Sequence, residues 1–300
     1  MSVSPRRYDL LKSRIDRFTR MLPGVEEGDV RAIHRTRVAS RRLRELLPVL
    51  QLDRDTTRKL MRRLRNVTRQ LGTVRELDVL LPLIDELQES RRGGSRALKR
   101  VADAIQVVRA EARERLAGKV SAAELGRVER KLDRAAKTLD DPKDQRLQHS
   151  RTWRWALDAR IARRASALRR TIHQAGAVYL PERLHAVRIA VKKLRYGVEL
   201  AAEASGTKGS ADVRLLKQTQ ELLGRLHDLQ VLIGYVRREQ ASLAPSDLTV
   251  WPELDALVVS LENTCRRLHA RYVRQRVVLI ALCDRLAARL VRAEAARRVG

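Results

Sequence analysis

The stretch 34–44, HRTRVASRRLR, returns 151 residues later as 185–195, HAVRIAVKKLR. Five of its positions are identical, and three more exchange Val for Ile or Arg for Lys. A second stretch, 71–80 (LGTVRELDVL), returns as 223–232 (LGRLHDLQVL) at an offset of 152. Two matches in the same order and at nearly the same offset are hard to obtain by chance. The sequence therefore predicts two copies of one structural unit.

Hydrophobic periodicity indicates an all-α fold. Apolar residues recur at spacings of three and four throughout the chain, and we find no convincing alternation typical of strands. Glycine, proline and polar clusters interrupt the pattern and mark the predicted helix ends. Pro48 could end or kink the second helix, and Pro82 the third. The predicted helices are 6–21, 27–51, 55–90, 96–138, 145–175, 181–203, 209–240 and 252–297.

Each copy of the first motif predicts a helix with one basic face and one apolar face. At about 100° per residue, His34 and Arg41 point the same way and Leu43 points the opposite way. Like charges one turn apart repel each other, so a repeated basic row predicts an anionic partner. For one helix a solvated amphipathic face would be the simpler interpretation, but the repetition favours binding. The candidate binding residues of the two motifs are His34, Arg37, Arg41, Arg42, Arg44, His185, Arg188, Lys192, Lys193 and Arg195.

The helix after each motif extends the basic surface unequally. In the first copy, arginines at spacings of four, three and four lie opposite the apolar positions. In the second copy, Glu221 stands where the first copy has Arg69, and Glu199 adds another acid near the row. The first copy is therefore expected to contribute more to binding. The further candidate residues are Arg58, Arg62, Arg65, Arg69, Arg214 and Lys217.

The overall composition agrees with an anionic partner. The chain of 300 residues carries 64 Lys and Arg against 36 Asp and Glu, a formal net charge of +28. Such an excess destabilises the folded state through self-repulsion unless an anion neutralises it. Aromatic residues make up only 3% of the chain, which leaves few platforms on which single-stranded bases could stack. A ligand bound through its phosphates needs no such platform.

The cysteines and the lack of long apolar stretches predict a cytoplasmic protein with no membrane partner. Cys265 and Cys283 lie 18 residues apart in one helical pattern. That spacing is roughly 27 Å along a straight helix, which is too far for a disulfide. We expect both to be buried thiols in a reducing compartment. The longest apolar run, 277–283, is too short to span a bilayer, and no apolar signal segment follows Met1.

No residue pattern predicts catalysis. The histidines and cysteines lack metal-ligand spacing, and there is no glycine-rich phosphate loop or carboxylate cluster for Mg²⁺. Arg75 and Asp78 could form a catalytic pair, but Asp78 falls on the apolar face, which favours a partly buried structural ion pair. His227 and Gln230 take these positions in the second copy and could hydrogen-bond instead. We predict no enzyme activity, no catalytic or metal-binding residues and no cofactor.

The duplicated motifs resemble those of the CHAD family, the conserved histidine α-helical domain. The resemblance rests on 34–44 and 185–195, each followed by a Leu-Gly-x-x-Arg/His-acidic-Leu segment, and it covers about 5–297 as a single domain. It implies two helical bundles, about 5–139 and 145–297, related by a pseudo-two-fold axis with a basic groove or cavity between them. It also implies binding of inorganic polyphosphate and association with polyphosphate granules.

The leading functional hypothesis is non-enzymatic polyphosphate binding through the basic helix faces. A nucleic-acid-binding protein is the first alternative, because the charge would permit it. An enzyme that makes or cuts polyphosphate is the second, and a helical scaffold for other proteins is the third. The sequence leaves the oligomeric state open.

The histidines of the two motifs are expected to act as conditional cations. Neighbouring positive charge should keep His34 and His185 neutral in the free protein. A bound polyanion should favour their protonated forms. The alternative is that each histidine only packs or caps near its helix start.

Overall fold

A computed structural model describes residues 6–89, 95–119, 122–140, 152–207 and 211–298. These residues form an all-α fold without strands, as the hydrophobic periodicity predicts. The helices are α1 (Arg7–Thr19), α2 (Leu22–Glu26), α3 (Val30–Leu46), α4 (Arg54–Glu89), α5 (Arg96–Lys119), α6 (Ala122–Leu139), α7 (Thr152–Ala175), α8 (Pro181–Ala204), α9 (Ala211–Ala241) and α10 (Trp251–Arg298), with 3₁₀ turns at Leu47–Val49 and Pro245–Val250.

The main differences from the predicted helix ends have local causes. The predicted helix 27–51 begins later because Gly28 adopts φ 74°, and because Asp29 caps α3 by accepting a hydrogen bond from the Ala32 N–H at 2.6 Å. Pro48 lies in the 3₁₀ turn that follows α3, whereas Pro82 lies inside α4, which continues to Glu89. Several positions in the predicted ranges lie outside the described residues, namely 5, 90, 120–121, 145–151 and 209–210.

The helices of the two halves pack in the same order. In the first half α3 packs against α1 and α4, and α4 packs against α5 and α6. In the second half α8 packs against α7 and α9, and α9 packs against α10. Thr68 and Thr219, which lie 151 residues apart, are both buried. Each donates a hydrogen bond to the carbonyl four residues earlier, at 2.7 and 2.9 Å. The duplication itself stays a prediction from the sequence.

The apolar faces of the two basic motifs belong to one buried core. Leu43 of α3 and Leu194 of α8, which the duplication makes equivalent, have no exposed surface. Both lie in the same cluster of buried residues. Burying a leucine side chain contributes about 1.5–3 kcal/mol, so these contacts anchor both motif helices. The opposite, basic faces of the two helices point away from the core.

Ion pairs join the two halves beside the motif helices. The buried guanidinium of Arg14 in α1 holds both carboxylate oxygens of Glu203 in α8, at 3.1 and 2.7 Å. Glu45 of α3 pairs with Arg164 of α7 and lies 3.6 Å from Arg160 of the same helix. Since α3 also packs directly against α8, these contacts position the two basic motifs next to each other.

Two further expectations can be compared with the described residues. Cys265 and Cys283 are buried free thiols, as their spacing predicts. Among the described helices, none has an apolar stretch long enough to span a membrane.

Candidate anion-binding site

The basic faces of α3 and α8 meet where these two helices pack against each other. Arg188 of α8 lies near enough to Arg37 and Arg41 of α3 for their charges to repel, and Lys192 is close to the same two arginines. None of these four side chains forms an ion pair within the described part of the chain. We call the converging residues the central cluster, defined as His34, Arg37, Arg41, His185, Arg188 and Lys192.

Two glycines make room for the equivalent arginines of the central cluster. A Cβ atom on Gly72 of α4 would lie 3.7 Å from Arg37 Nη2, and one on Gly224 of α9 would lie 3.9 Å from Arg188 Nε. A side chain longer than alanine at either position would meet the guanidinium. In both copies of the second motif, the arginine of the first motif therefore lies directly against the glycine of the Leu-Gly step.

His34 is held as a neutral ring in this arrangement. Arg75 of α4 donates a hydrogen bond from Nε to His34 Nδ1 at 2.8 Å. Because Arg75 has only donors, Nδ1 must be the unprotonated nitrogen, and any ring proton sits on Nε2. The hydrogen bond thus opposes a second proton on His34.

The second copy pairs two histidines at the equivalent place. His185 Nδ1 lies 3.1 Å from His227 Nδ1, with ring centroids 4.4 Å apart. In this hydrogen bond one Nδ1 must donate and the other must accept. The two Nδ1 atoms therefore cannot both be protonated. His227 occupies the position of Arg75 in the duplicated motif, so a weaker and titratable donor replaces a permanent cation.

The sequence predicted an ion pair between Arg75 and Asp78, and the predicted partner of Asp78 is wrong. Asp78 is buried and accepts a hydrogen bond from Arg109 Nε at 2.6 Å, while Arg113 Nη2 lies 3.8 Å away. Both arginines belong to α5, which packs on the face of α4 that carries Asp78. Asp78 therefore has the structural role that its apolar position predicts, and Arg75 is free to contact His34.

The predicted hydrogen bond between His227 and Gln230 is also wrong. Gln230 donates instead to the Tyr179 hydroxyl, which precedes α8. His227 turns toward His185. The two side chains lie three residues apart on one side of α9, and each contacts a different residue in or just before α8.

Burial and neighbouring positive charge shift the pKa values of the central cluster. The pKa of Lys192 is lowered to about 7, first by burial and then by neighbouring cations, of which Arg41 has the largest effect. The pKa of Arg37 is lowered to about 10, again by burial and then by Arg41. Burial followed by nearby positive charge lowers the pKa of His34 and of His185. These directions agree with the expectation that the histidines are neutral in the free protein.

Two acids lie at the edge of the central cluster. Glu76 and Asp228 follow Arg75 and His227 in the duplicated motif, and Glu76 Oε1 lies 3.8 Å from His227 Nε2. Burial raises the pKa of Asp228, and the charge of Arg188 opposes that rise. Neither acid was predicted from the sequence to be part of the site. The second duplicated motif was the signal that could have identified them.

Some predicted binding residues point toward ion pairs instead of the central cluster. Arg195 bonds to Glu199 and donates from Nε to Gln220 Oε1 at 2.9 Å. Arg42 Nη2 lies 3.7 Å from the same Glu199. Lys193 is exposed at the surface of α8. The charge of Glu199 therefore offsets one arginine from each motif.

The basic row on α4 is more open than its counterpart on α9. Arg62, Arg65 and Arg69 are exposed and form no ion pair among the described residues, and Arg65 lies near the half-buried Arg44. Arg58 pairs with Asp55 at 2.7 Å. On α9 Arg214 is exposed, but Lys217 lies 3.9 Å from Glu221. Of these two rows, the one on α4 therefore carries more unpaired positive charge among the described residues.

The described residues include no group of three His, Cys, Asp or Glu side chains that could hold a metal ion. The arrangement that they do contain can hold phosphate or carboxylate groups, because guanidinium donors accommodate two oxygens of one anion.

Comparison with known proteins shows which solved structures have a similar fold. No curated protein sequence matches the chain. The structure of PptA from Streptomyces chartreusis is similar, with a TM-score of 0.63 and 15% identity, covering 90% of this chain and 100% of that one. The CHAD domain from the plant Ricinus communis is similar, with a TM-score of 0.57 and 21% identity, covering 95% of this chain and 94% of that one. At these identities the likeness establishes the fold alone.

The sequence also matches a family model. The model of the CHAD domain matches residues 9–237, a region that contains both duplicated motifs and the whole central cluster. The match extends over more than half of the chain and confirms the resemblance of its motifs. The chain therefore belongs to the CHAD family.

Proposed function

We propose that this protein binds inorganic polyphosphate, without enzymatic activity, through the central cluster. The observation that carries the proposal is the half-buried group of Arg37, Arg41, Arg188 and Lys192, whose side chains form no ion pair among the described residues. Unpaired cations are costly to bury, and a bound polyanion would recover that cost. Membership of the CHAD family supports this ligand, because the resemblance implies polyphosphate binding.

Polyphosphate matches the residues better than a nucleic acid does. It is a chain of phosphates alone, so a repeated row of cations can contact all of it. A single-stranded nucleic acid would also present bases, and the sequence offers few aromatic side chains to stack on them. We also propose that this binding associates the protein with cytoplasmic polyphosphate granules.

The first expected result is a steep dependence of polyphosphate affinity on salt. Counterion release gives a slope of log K against log salt of about −4 if roughly six phosphates are neutralised. The measurement is fluorescence titration with long-chain polyphosphate at several salt concentrations, with duplex DNA as competitor at fixed salt. A flat salt response, or displacement of polyphosphate by equimolar DNA phosphate, would contradict the proposal. Incubation with polyphosphate and Mg²⁺ should leave the chain length unchanged.

The second expected result is an unequal contribution of the two halves. Arg37→Ala with Arg41→Ala should weaken polyphosphate binding more than Arg188→Ala with Lys192→Ala. The reason is that Arg62, Arg65 and Arg69 reinforce the first row, while Glu221 lies 3.9 Å from Lys217 in the second. Titration of both variants, with helicity checked by circular dichroism, measures the difference. Equal losses of affinity in two folded variants would refute the asymmetry.

The third expected result is proton uptake on binding at pH 8. Lys192, with its pKa lowered to about 7, is mostly neutral at that pH in the free protein. A bound polyanion favours the charged form, so Lys192 should gain a proton, and affinity should fall as pH rises above about 7. Calorimetry in buffers of different ionisation enthalpy measures the uptake.

Matched variants separate the lysine from the histidines. Lys192→Gln should remove most of the uptake at pH 8, whereas His34→Gln with His185→Gln should reduce it mainly near pH 6. Their pKa values are lowered from the ordinary histidine value, so they titrate below the lysine. Unchanged uptake at pH 8 in Lys192→Gln would exclude this role for the lysine.

A further inference from the structure

A cavity of about 470 Å³ lies between the start of α4 and the end of α6. Its apolar lining includes Leu60, Ala135 and Leu139, which are buried, and Leu52, which is partly buried. Small-molecule sites in proteins typically occupy about 300–1,000 Å³ and combine apolar walls with a few polar groups. The cavity shares no lining residue with the central cluster.

The lining of the cavity also carries positive charge. Lys59 of α4 and the α6 residues Lys131 and Arg134 line it. The charge of Arg63 is the main reason that the pKa of Lys131 is lowered, so cations of two helices meet here. Lys59 is partly offset by Asp55 at 3.7 Å, while Lys131 and Arg134 form no ion pair within the described part of the chain.

The wall on the α4 side determines how a ligand would be oriented. Asp53 also lines the cavity, but its Oδ2 already accepts a hydrogen bond from the Thr56 N–H at 2.8 Å, as the cap of α4. An anionic group would avoid this carboxylate and lie against α6. Gln51 lines the same wall with φ 59°, a left-handed conformation that is uncommon for residues other than glycine and that occurs at ligand clamps.

We infer that this cavity binds an amphipathic organic anion, whose apolar ring or chain lies on the leucine floor while its phosphate, sulfonate or carboxylate group contacts Lys131 and Arg134. Polyphosphate has no apolar part and would leave the floor exposed. The inference therefore concerns a second ligand class and does not depend on polyphosphate binding at the central cluster.

The test compares two fluorescent probes that share one ring system. The anionic probe is 8-anilinonaphthalene-1-sulfonate, and N-phenyl-1-naphthylamine lacks the sulfonate. The protein should bind the anionic probe at one saturable site. Lys131→Gln with Arg134→Gln should lower the affinity for the anionic probe about tenfold, because two contacts at the protein surface are lost. The affinity for the neutral probe should stay nearly unchanged. Thr138 is an exposed residue of the cavity lining, and Thr138→Trp adds a bulky side chain there. This variant should lower the affinity for both probes.

The matched control removes the same charge elsewhere. Arg266→Gln with Arg267→Gln neutralises two exposed arginines of α10 and should leave both probes unaffected. Thermal unfolding and near-ultraviolet circular dichroism confirm that each variant keeps its packed core, since a loosened core would bind the anionic probe by itself. Equal losses in the control and the Lys131/Arg134 variant, or no loss with Thr138→Trp, would overturn the inference. So would the absence of saturable binding to the wild-type protein.

Discussion

Replacing Arg37 and Arg188 together by glutamine is expected to weaken polyphosphate binding at least a hundredfold. These equivalent arginines lie on Gly72 and Gly224 at the centre of the site. A hydrogen bond to a charged group contributes about 1.5–3 kcal/mol, and about 1.4 kcal/mol corresponds to a tenfold change in affinity. Loss of both arginines should therefore lower affinity by about two to four orders of magnitude.

The same substitutions should not destabilise the free protein. Arg37 is partly buried and repelled by Arg41 and Arg188, and the Nε of each substituted arginine is buried without a hydrogen-bond partner. Glutamine is neutral and shorter than arginine and relieves that repulsion, so the melting temperature of the anion-free variant should stay constant or rise. Titration with polyphosphate and thermal unfolding measure the two effects separately.

The control for this prediction is Arg266→Gln with Arg267→Gln, which removes two positive charges from the exposed face of α10. It should change the affinity less than threefold, because those charges act only through the long-range field. If the control weakens binding as strongly as the Arg37/Arg188 variant, the interaction depends on net charge and the central cluster is not the site. A lower melting temperature of the Arg37/Arg188 variant would show that these arginines are structural.

Arg109→Met is expected to destabilise the fold by about 3–5 kcal/mol, the usual cost of breaking a buried ion pair from one side. The Asp78 side chain is 1% exposed, and Arg109 is its shortest contact at 2.6 Å. Without it, the remaining ion pair of the carboxylate among the described residues would be with Arg113 at 3.8 Å. Asp78 Oδ2 already lacks a hydrogen-bond partner, so no hydrogen bond to this oxygen would compensate for the loss of Arg109. Urea unfolding followed by circular dichroism measures the loss.

Two further variants test the cause of this loss. Arg115→Met removes an exposed ion pair with Glu111 on the same helix and should cost at most about 1 kcal/mol. Asp78→Leu combined with Arg109→Met removes both charges and should recover most of the stability lost in Arg109→Met. If the combined variant is as unstable as Arg109→Met, the arginine acts through its packing and the ion pair is not the reason.

Local periodicity was enough to predict the helices and the two basic faces. A helix places residues three and four apart on one side, so the apolar face of 34–44 and that of 185–195 could be identified without knowing their neighbours. Leu43 and Leu194 are accordingly fully buried. The two offsets in the sequence likewise predicted that both halves contain the same motifs in the same order.

The choice of partner depended on which helix packs on which face. Asp78 was correctly placed on the apolar side of its helix, but its partner Arg109 comes from α5, and no local pattern connects residues so far apart. Arg75 for the same reason contacts His34 of α3. A hydrogen bond between two helices depends on how the helices are placed relative to each other, and that placement is determined by the packing of the whole core.

The sequence by itself determined an all-helical chain with two repeated basic faces and an excess of positive charge. Only the tertiary structure decided that those faces meet at α3 and α8. Packing buries Lys192 beside Arg41, which lowers its pKa to about 7. The same lysine alone on a solvated helix would keep its ordinary charge. The physical reason is that a pKa depends on desolvation and on distances to other charges, and both arise only when separate parts of the chain come together.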